Sequence, residues 1–177
     1  MEKYVIVGGN RLSGTVRLSG GKNAILTILP ACLLSKGVCT IHDVPRLSDV
    51  YVMKEVLHCL GAKVEFMGNT MVVDASQICS VEVPDRLTRM MRASNLVMGP
   101  LLSRFHQAKL AYPGGCSIGS RPMDQHLRGV KALGAQVMER HGFIEVKAAR
   151  ITGGEICLDF PSVGATENLM MTAALAS

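Results

Sequence analysis

The sequence contains no tryptophan, and aromatic residues make up only 4% of it. Its 19 lysine and arginine residues outnumber 14 acidic residues, but they stand singly and form no basic run. Nucleic-acid-binding domains usually cluster such charge and add aromatic side chains on which bases stack. The lack of both features disfavours an RNA-binding domain, whereas a modest positive charge also suits a small anionic ligand.

Long apolar runs are missing as well. Residues 1–9 hold too short an apolar run for a signal peptide, and the longest apolar stretch, 25–34, is too short to span a membrane. The six cysteines include no C-x-x-C pair and no metal-ligand spacing. We therefore expect reduced thiols in a cytoplasmic protein with no metal and no cofactor. Hydrophobic residues nevertheless make up 48% of the chain, which is enough for a packed core.

A repeat of 72 to 73 residues runs through the chain. An asparagine near the start of an apolar helical pattern recurs at Asn23, Asn95 and Asn168. The tripeptide Leu-Gly-Ala recurs at 60–62 and 133–135. Such offsets indicate two complete structural units and the beginning of a third.

Hydrophobic spacing predicts the elements of the first unit. Pro30 should kink its first helix, Ser48 is a credible N-cap for its second helix, and Gly61 should end that helix. In chain order, we expect a strand at 15–19, a helix at 23–34, a strand at 38–41, a helix at 48–60 and a hairpin that turns at 68–69.

The second unit repeats this order, and the third begins it. The second is predicted as a helix from near Asn95, a strand at 108–112, a helix at 123–133 and a hairpin that turns at 141–142. The third is predicted as a strand at 155–158 and a helix that begins at Asn168 and is still running at Ser177. Because the helices are apolar on one side, the pattern predicts an α/β fold in one domain, with β-α-β-α-β-β units packed around a shared helical core.

A glycine-rich loop distinguishes the second unit from the first. Residues 112–122 contain three glycines and two prolines, whereas the matching segment 42–46 contains no glycine. Cysteine is most often a small buried residue, which suits the cysteines at 32, 39, 59 and 157. Cys116 lies instead in this loop, before a helix and near Arg121, a setting that lowers a thiol pKa. Cys116 is therefore either a buried residue or a nucleophile or proton donor.

Several segments suit an anion. Lys22 follows glycines at the start of a helix, where free N–H groups and the helix dipole attract negative charge. Arg92 precedes the helix of the second unit, where its planar fork could grip phosphate or carboxylate. The segment 162–166 precedes the third helix much as 19–21 precedes the first. Lys22 could instead be a solvated lysine and 162–166 an ordinary turn, and Arg89, three residues before Arg92, is better explained as a solvated surface charge. Asp124, beside His126, could merely favour the start of its helix.

Five motifs stand in an order and at spacings that identify a family. The chain resembles the enolpyruvyl transferases, and among them those of peptidoglycan synthesis, over its whole length. The motifs are Gly20-Gly21-Lys22-Asn23-Ala24, Met91-Arg92-Ala93-Ser94, Pro113-Gly114-Gly115-Cys116-Ser117-Ile118-Gly119, Arg121-Pro122 and Ser162-Val163-Gly164-Ala165-Thr166.

The resemblance implies a reaction and a role for each motif. Enzymes of this kind transfer the enolpyruvyl group of phosphoenolpyruvate to the 3-hydroxyl of UDP-N-acetylglucosamine and release phosphate. Cys116 matches the thiol that protonates phosphoenolpyruvate, and Lys22 matches the cation held against it. The implied substrate-binding residues are Lys22, Asn23, Arg92, Arg121, Pro122, Met123, Asp124, Gln125, Ser162, Val163 and Gly164.

The resemblance also implies a domain organisation. These enzymes form an inside-out α/β barrel of two domains, each of three units, which close over the substrates. Residues 22–177 match one domain with an incomplete third unit, and residues 1–21 match a strand segment that packs with the other domain. We therefore expect the 177-residue chain to be inactive alone, with the rest of the enzyme as its partner, and with no nucleic acid or membrane as partner.

Two other interpretations stay open. The sister transferase of the shikimate pathway, 3-phosphoshikimate 1-carboxyvinyltransferase, shares the fold and the substrate phosphoenolpyruvate but lacks the Gly-Gly-Cys loop. Cys116 therefore counts against it. A non-catalytic binding module derived from such an enzyme would keep the units without the chemistry, and the presence of Lys22, Cys116 and Arg121 counts against that interpretation.

Overall fold

The computed structural model describes residues 3–114 and 122–176. The helices of these residues are α1 (Lys22–Ala31), α2 (Ser48–Cys59), α3 (Asp85–Met90), α4 (Met98–Phe105), α5 (Asp124–Ala132) and α6 (Val163–Ala173), with 3-10 helices at Cys32–Leu34 and Arg92–Val97. The strands are β1 (Val38–Ile41), β2 (Lys63–Met67), β3 (Thr70–Asp74), β4 (Gln107–Ala111), β5 (Gln136–Arg140) and β6 (Phe143–Lys147). In the described parts of the chain, no helix has the length and apolar character needed to cross a membrane.

Each complete unit forms one three-stranded antiparallel sheet. The strand orders are β1-β3-β2 and β4-β6-β5, so the last strand of each unit lies in the centre. The two predicted hairpins are confirmed, with two-residue loops at 68–69 and 141–142. Gly68, His141 and Gly142 have φ values of 59°, 51° and 79°, the left-handed conformation that such tight turns require.

The repeated Leu-Gly-Ala tripeptide ends the second helix of each unit. Gly61 has a φ of 104°, and the N–H groups of Gly61 and Ala62 donate to the carbonyls of His58 and Leu57 at 2.9 and 3.0 Å. The same two bonds recur at 134–135, both at 3.0 Å. This Schellman arrangement satisfies the last carbonyls of the helix and turns the chain into the next strand. The helix ends predicted at these glycines are confirmed.

The helices form the shared core, as predicted. Residues 98–103 of α4 are all buried. A helix with one face in water would have exposed residues at regular intervals, so α4 is the central helix of the core. Both α4 and α5 pack against α6. At the end of α4, Arg104 donates to the carbonyls of Leu33, Ser35 and Ala75 at 2.9, 2.6 and 2.8 Å. These bonds tie the second unit to the first.

Two predicted strands do not form. Residues 3–21, which precede α1, contain no helix or strand, and their apolar side chains are exposed. Residues 155–158 are also outside regular structure. In the second unit the equivalent segment pairs in parallel with β4, through a bridge between Glu82 and Lys109. A strand needs such a partner for its N–H and C=O groups, and neither 15–19 nor 155–158 has one among the described residues.

Two helix starts in the first two units differ from the prediction. Leu47 is the N-cap of α2, and Ser48 is already its first helical residue, so Ser48 is not the cap. The α-helix of the second unit begins at Met98, after a 3-10 helix that contains Asn95. Pro100 has no N–H and therefore fits only the first turn of an α-helix, which accounts for the later start.

The third unit differs at both ends of its helix. α6 begins at Val163, five residues before Asn168, because Ser162 is its N-cap and accepts a hydrogen bond from the Ala165 N–H at 3.4 Å. The segment 162–166 is therefore a helix start and not a separate turn. The helix ends at Ala173.

Candidate functional site

A cavity of about 440 Å³ lies where α1, the 3-10 helix Arg92–Val97, α5 and α6 meet. Its volume falls within the range of about 300–1,000 Å³ that is usual for small-molecule sites. Six of the predicted substrate-binding residues line it together. These are Lys22, Asn23, Arg92, Ser162, Val163 and Gly164.

The start of α1 places a cation where helices usually place an acid. Lys22 is the first residue of α1, and the first turn contains no acidic residue. Asp49 of α2 partly compensates this charge, with its Oδ2 3.0 Å from Lys22 Nζ. The lysine side chain is 51% exposed, so the pair is screened by water and the ammonium stays accessible to a ligand.

The start of α6 forms another part of the cavity wall. Its first turn contains no acidic residue, and Ser162 satisfies only the N–H of Ala165. Because the first N–H groups of a helix have no partner within it, those of Val163 and Gly164 are available to an anion. Arg92 and Lys22 line the same space, so positive groups from three elements face one cavity.

Neither His126, a buried residue of this site, nor Asn168, which contacts it, was predicted to belong to the site. His126 lines the cavity and is 3% exposed, and its Nδ1 lies 3.2 Å from Nδ2 of Asn168. Burial lowers the pKa of His126 to about 4, with a smaller contribution from the charge of Arg92, opposed by Asp124. The 73-residue repeat already marked Asn168 and could have indicated a shared structural role. Nothing in the local sequence connects it with His126.

The remaining predicted residues in the described chain line a second cleft of about 510 Å³ at the start of α5. They are Pro122, Met123, Asp124 and Gln125. Two of their side chains are buried and form hydrogen bonds within the protein. Met123 is 2% exposed and its sulfur accepts from Asn95, and Gln125 exchanges hydrogen bonds of 3.0 and 3.2 Å with Asp159. A ligand in this cleft would therefore meet their main chain, together with the exposed Asp124.

The hydrogen bonds of Asp159 hold the far side of this cleft. Gln125, and then Arg128, donate to its carboxylate and lower the pKa of Asp159 below its usual value.

Across the described residues, no three His, Cys, Asp or Glu side chains are grouped so that they could hold a metal ion.

The cysteines divide by exposure. Cys32 is buried, and this burial, with a smaller effect of Cys39, raises the pKa of its thiol to about 12. The prediction that Cys59 and Cys157 are buried is wrong, since both are exposed. Cys59 is the last residue of α2, on its outer face, and Cys157 lies in the segment that does not form a strand. Cys116 and Arg121 lie outside the described residues.

Comparison with known proteins gives one family. The sequence model of the family described as EPSP synthase (3-phosphoshikimate 1-carboxyvinyltransferase) matches residues 6–177. UDP-N-acetylglucosamine 1-carboxyvinyltransferase 2 of Carboxydothermus hydrogenoformans is 54% identical over 176 residues, which are 99% of this chain and 42% of that protein. UDP-N-acetylglucosamine 1-carboxyvinyltransferase 1 of Halalkalibacterium halodurans is 54% identical over 178 residues, 99% of this chain and 40% of that protein. The chain spans about two-fifths of the length of these relatives.

Solved structures agree with the fold. The enolpyruvyl transferase NikO from Streptomyces tendae superposes with a TM-score of 0.77 at 25% identity, over 96% of this chain and 40% of that one. An EPSP synthase from Acinetobacter baumannii gives a TM-score of 0.70 at 14% identity, over 92% of this chain and 38% of that one. The predicted fold class is confirmed.

Proposed function

Because this chain belongs to the EPSP synthase family, we propose that it is part of an enzyme that transfers the enolpyruvyl group of phosphoenolpyruvate to the 3-hydroxyl of UDP-N-acetylglucosamine. In this reaction the sugar oxygen bonds to the central carbon of phosphoenolpyruvate while the methylene carbon gains a proton. Loss of phosphate and of one proton then restores the double bond. Such an enzyme would act in peptidoglycan synthesis in the cytoplasm.

The observation that carries this proposal is the convergence of Lys22, Arg92 and the start of α6 on one cavity. Phosphoenolpyruvate carries a phosphate and a carboxylate, and UDP-N-acetylglucosamine carries a diphosphate. Positive groups held in place before the ligand arrives stabilise such charge without a cost of reorganisation. At the starts of α1 and α6, free backbone N–H groups and the helix dipoles add fixed positive charge of this kind.

The proposed roles follow the chemistry of each side chain. Lys22 binds phosphoenolpyruvate as a point charge, Asn23 beside it contacts the sugar, and Arg92 and Arg121 bind anionic oxygens. Cys116 donates the proton to the methylene carbon, as a general acid. The main chain of 122–125 and of 162–164 contacts the nucleotide sugar. Positioning of the two reactants then supplies much of the rate.

The sugar-nucleotide substrate is supported over shikimate 3-phosphate by three observations. Relatives that bear the name UDP-N-acetylglucosamine 1-carboxyvinyltransferase are 49–54% identical over 99% of this chain. The EPSP synthase structures share only 14% identity with it. The Gly-Gly-Cys sequence around Cys116, which the resemblance attributes to the first group, points the same way.

Binding of UDP-N-acetylglucosamine should depend on Arg121. A guanidinium bond to a charged oxygen contributes about 1.5–3 kcal/mol, so Arg121→Ala should weaken binding roughly tenfold or more. Isothermal titration calorimetry on the 177-residue chain measures this, with Arg140→Ala as the control. Arg140 lies on β5, outside both clefts, and its loss should leave the affinity unchanged.

The same calorimetry separates the candidate functions. We expect heat of binding from UDP-N-acetylglucosamine and none from shikimate 3-phosphate. Binding of shikimate 3-phosphate alone would identify the sister activity. Binding of neither ligand would contradict the proposed function, and an unchanged affinity in Arg121→Ala would remove that residue from the site.

A further inference from the structure

Asn168 has its side-chain orientation fixed by a carbonyl. It is fully buried in α6, and its Nδ2 lies 3.0 Å from the carbonyl oxygen of Asn95 and 3.2 Å from Nδ1 of His126. A flipped amide would place Oδ1 against the Asn95 oxygen, two acceptors with no proton between them. The amide nitrogen therefore faces both neighbours and donates one N–H to each.

This orientation fixes the tautomer of His126. Because Asn168 donates to Nδ1, that nitrogen must be the bare acceptor, and the single proton of the neutral ring lies on Nε2. A second proton would place Nδ1–H against the amide N–H. Burial and the charge of Arg92 oppose protonation as well, and the pKa of His126 is about 4. The ring is thus neutral throughout the physiological range.

The edge of the ring that carries the proton lies beside Gly164, another residue of the cavity wall. A Cβ added at Gly164 would lie 3.6 Å from Cε1 and 3.8 Å from Nε2 of His126, so this edge of the ring faces the first turn of α6. Among the described residues, Nε2 has no hydrogen-bond partner of its own. The charged groups that line the cavity together with the ring are Lys22, Asp49, Arg92 and Glu167, and Asp124 lies on α5 itself.

We propose that Asn168 is a positioning residue that holds His126 as a neutral imidazole, so that its Nε2–H donates a hydrogen bond to an anionic phosphate or carboxylate oxygen in the cavity. Lys22 and Arg92 supply the charge, and His126 supplies a directed donor beside the N–H groups of Val163 and Gly164. The identity of the ligand rests on the proposed function, but the tautomer does not.

Nitrogen-15 NMR of the imidazole rings tests the tautomer in the wild-type chain. We expect His126 to show a protonated Nε2 and a bare Nδ1, unchanged between pH 5.5 and pH 8. His126→Gln identifies its signals among those of the five histidines. A protonated Nδ1, or a doubly protonated ring at pH 7, would overturn the proposal. Inorganic phosphate should shift the Nε2–H signal, and the absence of a shift at saturation would exclude ligand donation.

The isosteric change Asn168→Asp should reverse the tautomer. A carboxylate accepts a proton from Nδ1, which leaves Nε2 bare and raises the pKa of His126 above its wild-type value. Below that raised pKa both nitrogens carry protons and Nε2 still donates. Above it the donor is lost, so affinity for UDP-N-acetylglucosamine should fall roughly tenfold as pH rises, while the wild type stays constant.

The outcomes separate this inference from the proposed function. A wild-type chain that binds no UDP-N-acetylglucosamine contradicts the proposed function, whereas the spectrum and the phosphate titration still decide the role of Asn168. If Asn168→Asp does not fold, the wild-type measurements decide alone. An affinity of Asn168→Asp that falls equally at every pH would indicate a merely structural role and overturn the proposal.

Discussion

Gly99→Ala should lower the free energy of unfolding by about 3 kcal/mol or more, although alanine is the better helix former by about 1 kcal/mol. Gly99 lies in the first turn of α4, against α6. A Cβ there would lie 2.4 Å from the carbonyl oxygen and 2.5 Å from Oδ1 of Asn168. Both atoms belong to Asn168, which is fully buried and hydrogen-bonded to Asn95 and His126, so they cannot move independently and α4 and α6 must separate.

Two glycines with different surroundings serve as controls in the same urea unfolding experiment. Gly129 of α5 also faces α6, but a Cβ there meets the methyl groups of Leu169, which can rotate, and Gly129→Ala should therefore cost less. Gly153 has open space around it, and Gly153→Ala should stay within about 0.5 kcal/mol of the wild type. Equal stability of Gly99→Ala and Gly153→Ala would contradict the close contact of α4 and α6.

The 177-residue chain alone should release no phosphate above background from phosphoenolpyruvate and UDP-N-acetylglucosamine. It spans about two-fifths of its relatives, and we place the rest of the catalytic machinery in the part of them that it does not span. Holding two reactants in attack geometry is worth about 7–11 kcal/mol of the barrier. Lys22 is half exposed here, so its field is screened by water.

A continuous phosphate assay measures this, with a longer relative of the same family as the active control. Phosphate release by the purified chain that requires both substrates and disappears in Cys116→Ala would show that the chain is catalytically sufficient. Release that persists in Cys116→Ala would point to a contaminating phosphatase.

The features predicted correctly from sequence are those decided by local chemistry. Gly61 adopts the left-handed conformation that a Schellman cap requires, and His141-Gly142 forms a two-residue hairpin turn. Such positions are set by backbone conformation within a few residues. Because these positions recur 73 residues apart, the order of helices and strands in the second unit could be predicted from the first.

Features that depend on distant partners could not be predicted in this way. The segments 15–19 and 155–158 have strand-like alternation, but alternation does not provide a neighbouring strand. His126 and Asn168 are 42 residues apart, and only the packing of α5 on α6 brings them together. At the site, the tendency of helix starts to bind anions indicated Lys22 and 162–164, whereas the buried side chains of Met123 and Gln125 depend on tertiary contacts.

The most direct test of the proposed site is amide NMR of the nitrogen-15-labelled chain during titration with UDP-N-acetylglucosamine. We expect the largest shifts at Lys22, Asn23 and Arg92 and at the start of α6, where free N–H groups would bind the anion. Shifts confined to the separate cleft between Arg17 and Asn69, with none at the start of α6, would contradict the assignment of this cavity as the substrate site.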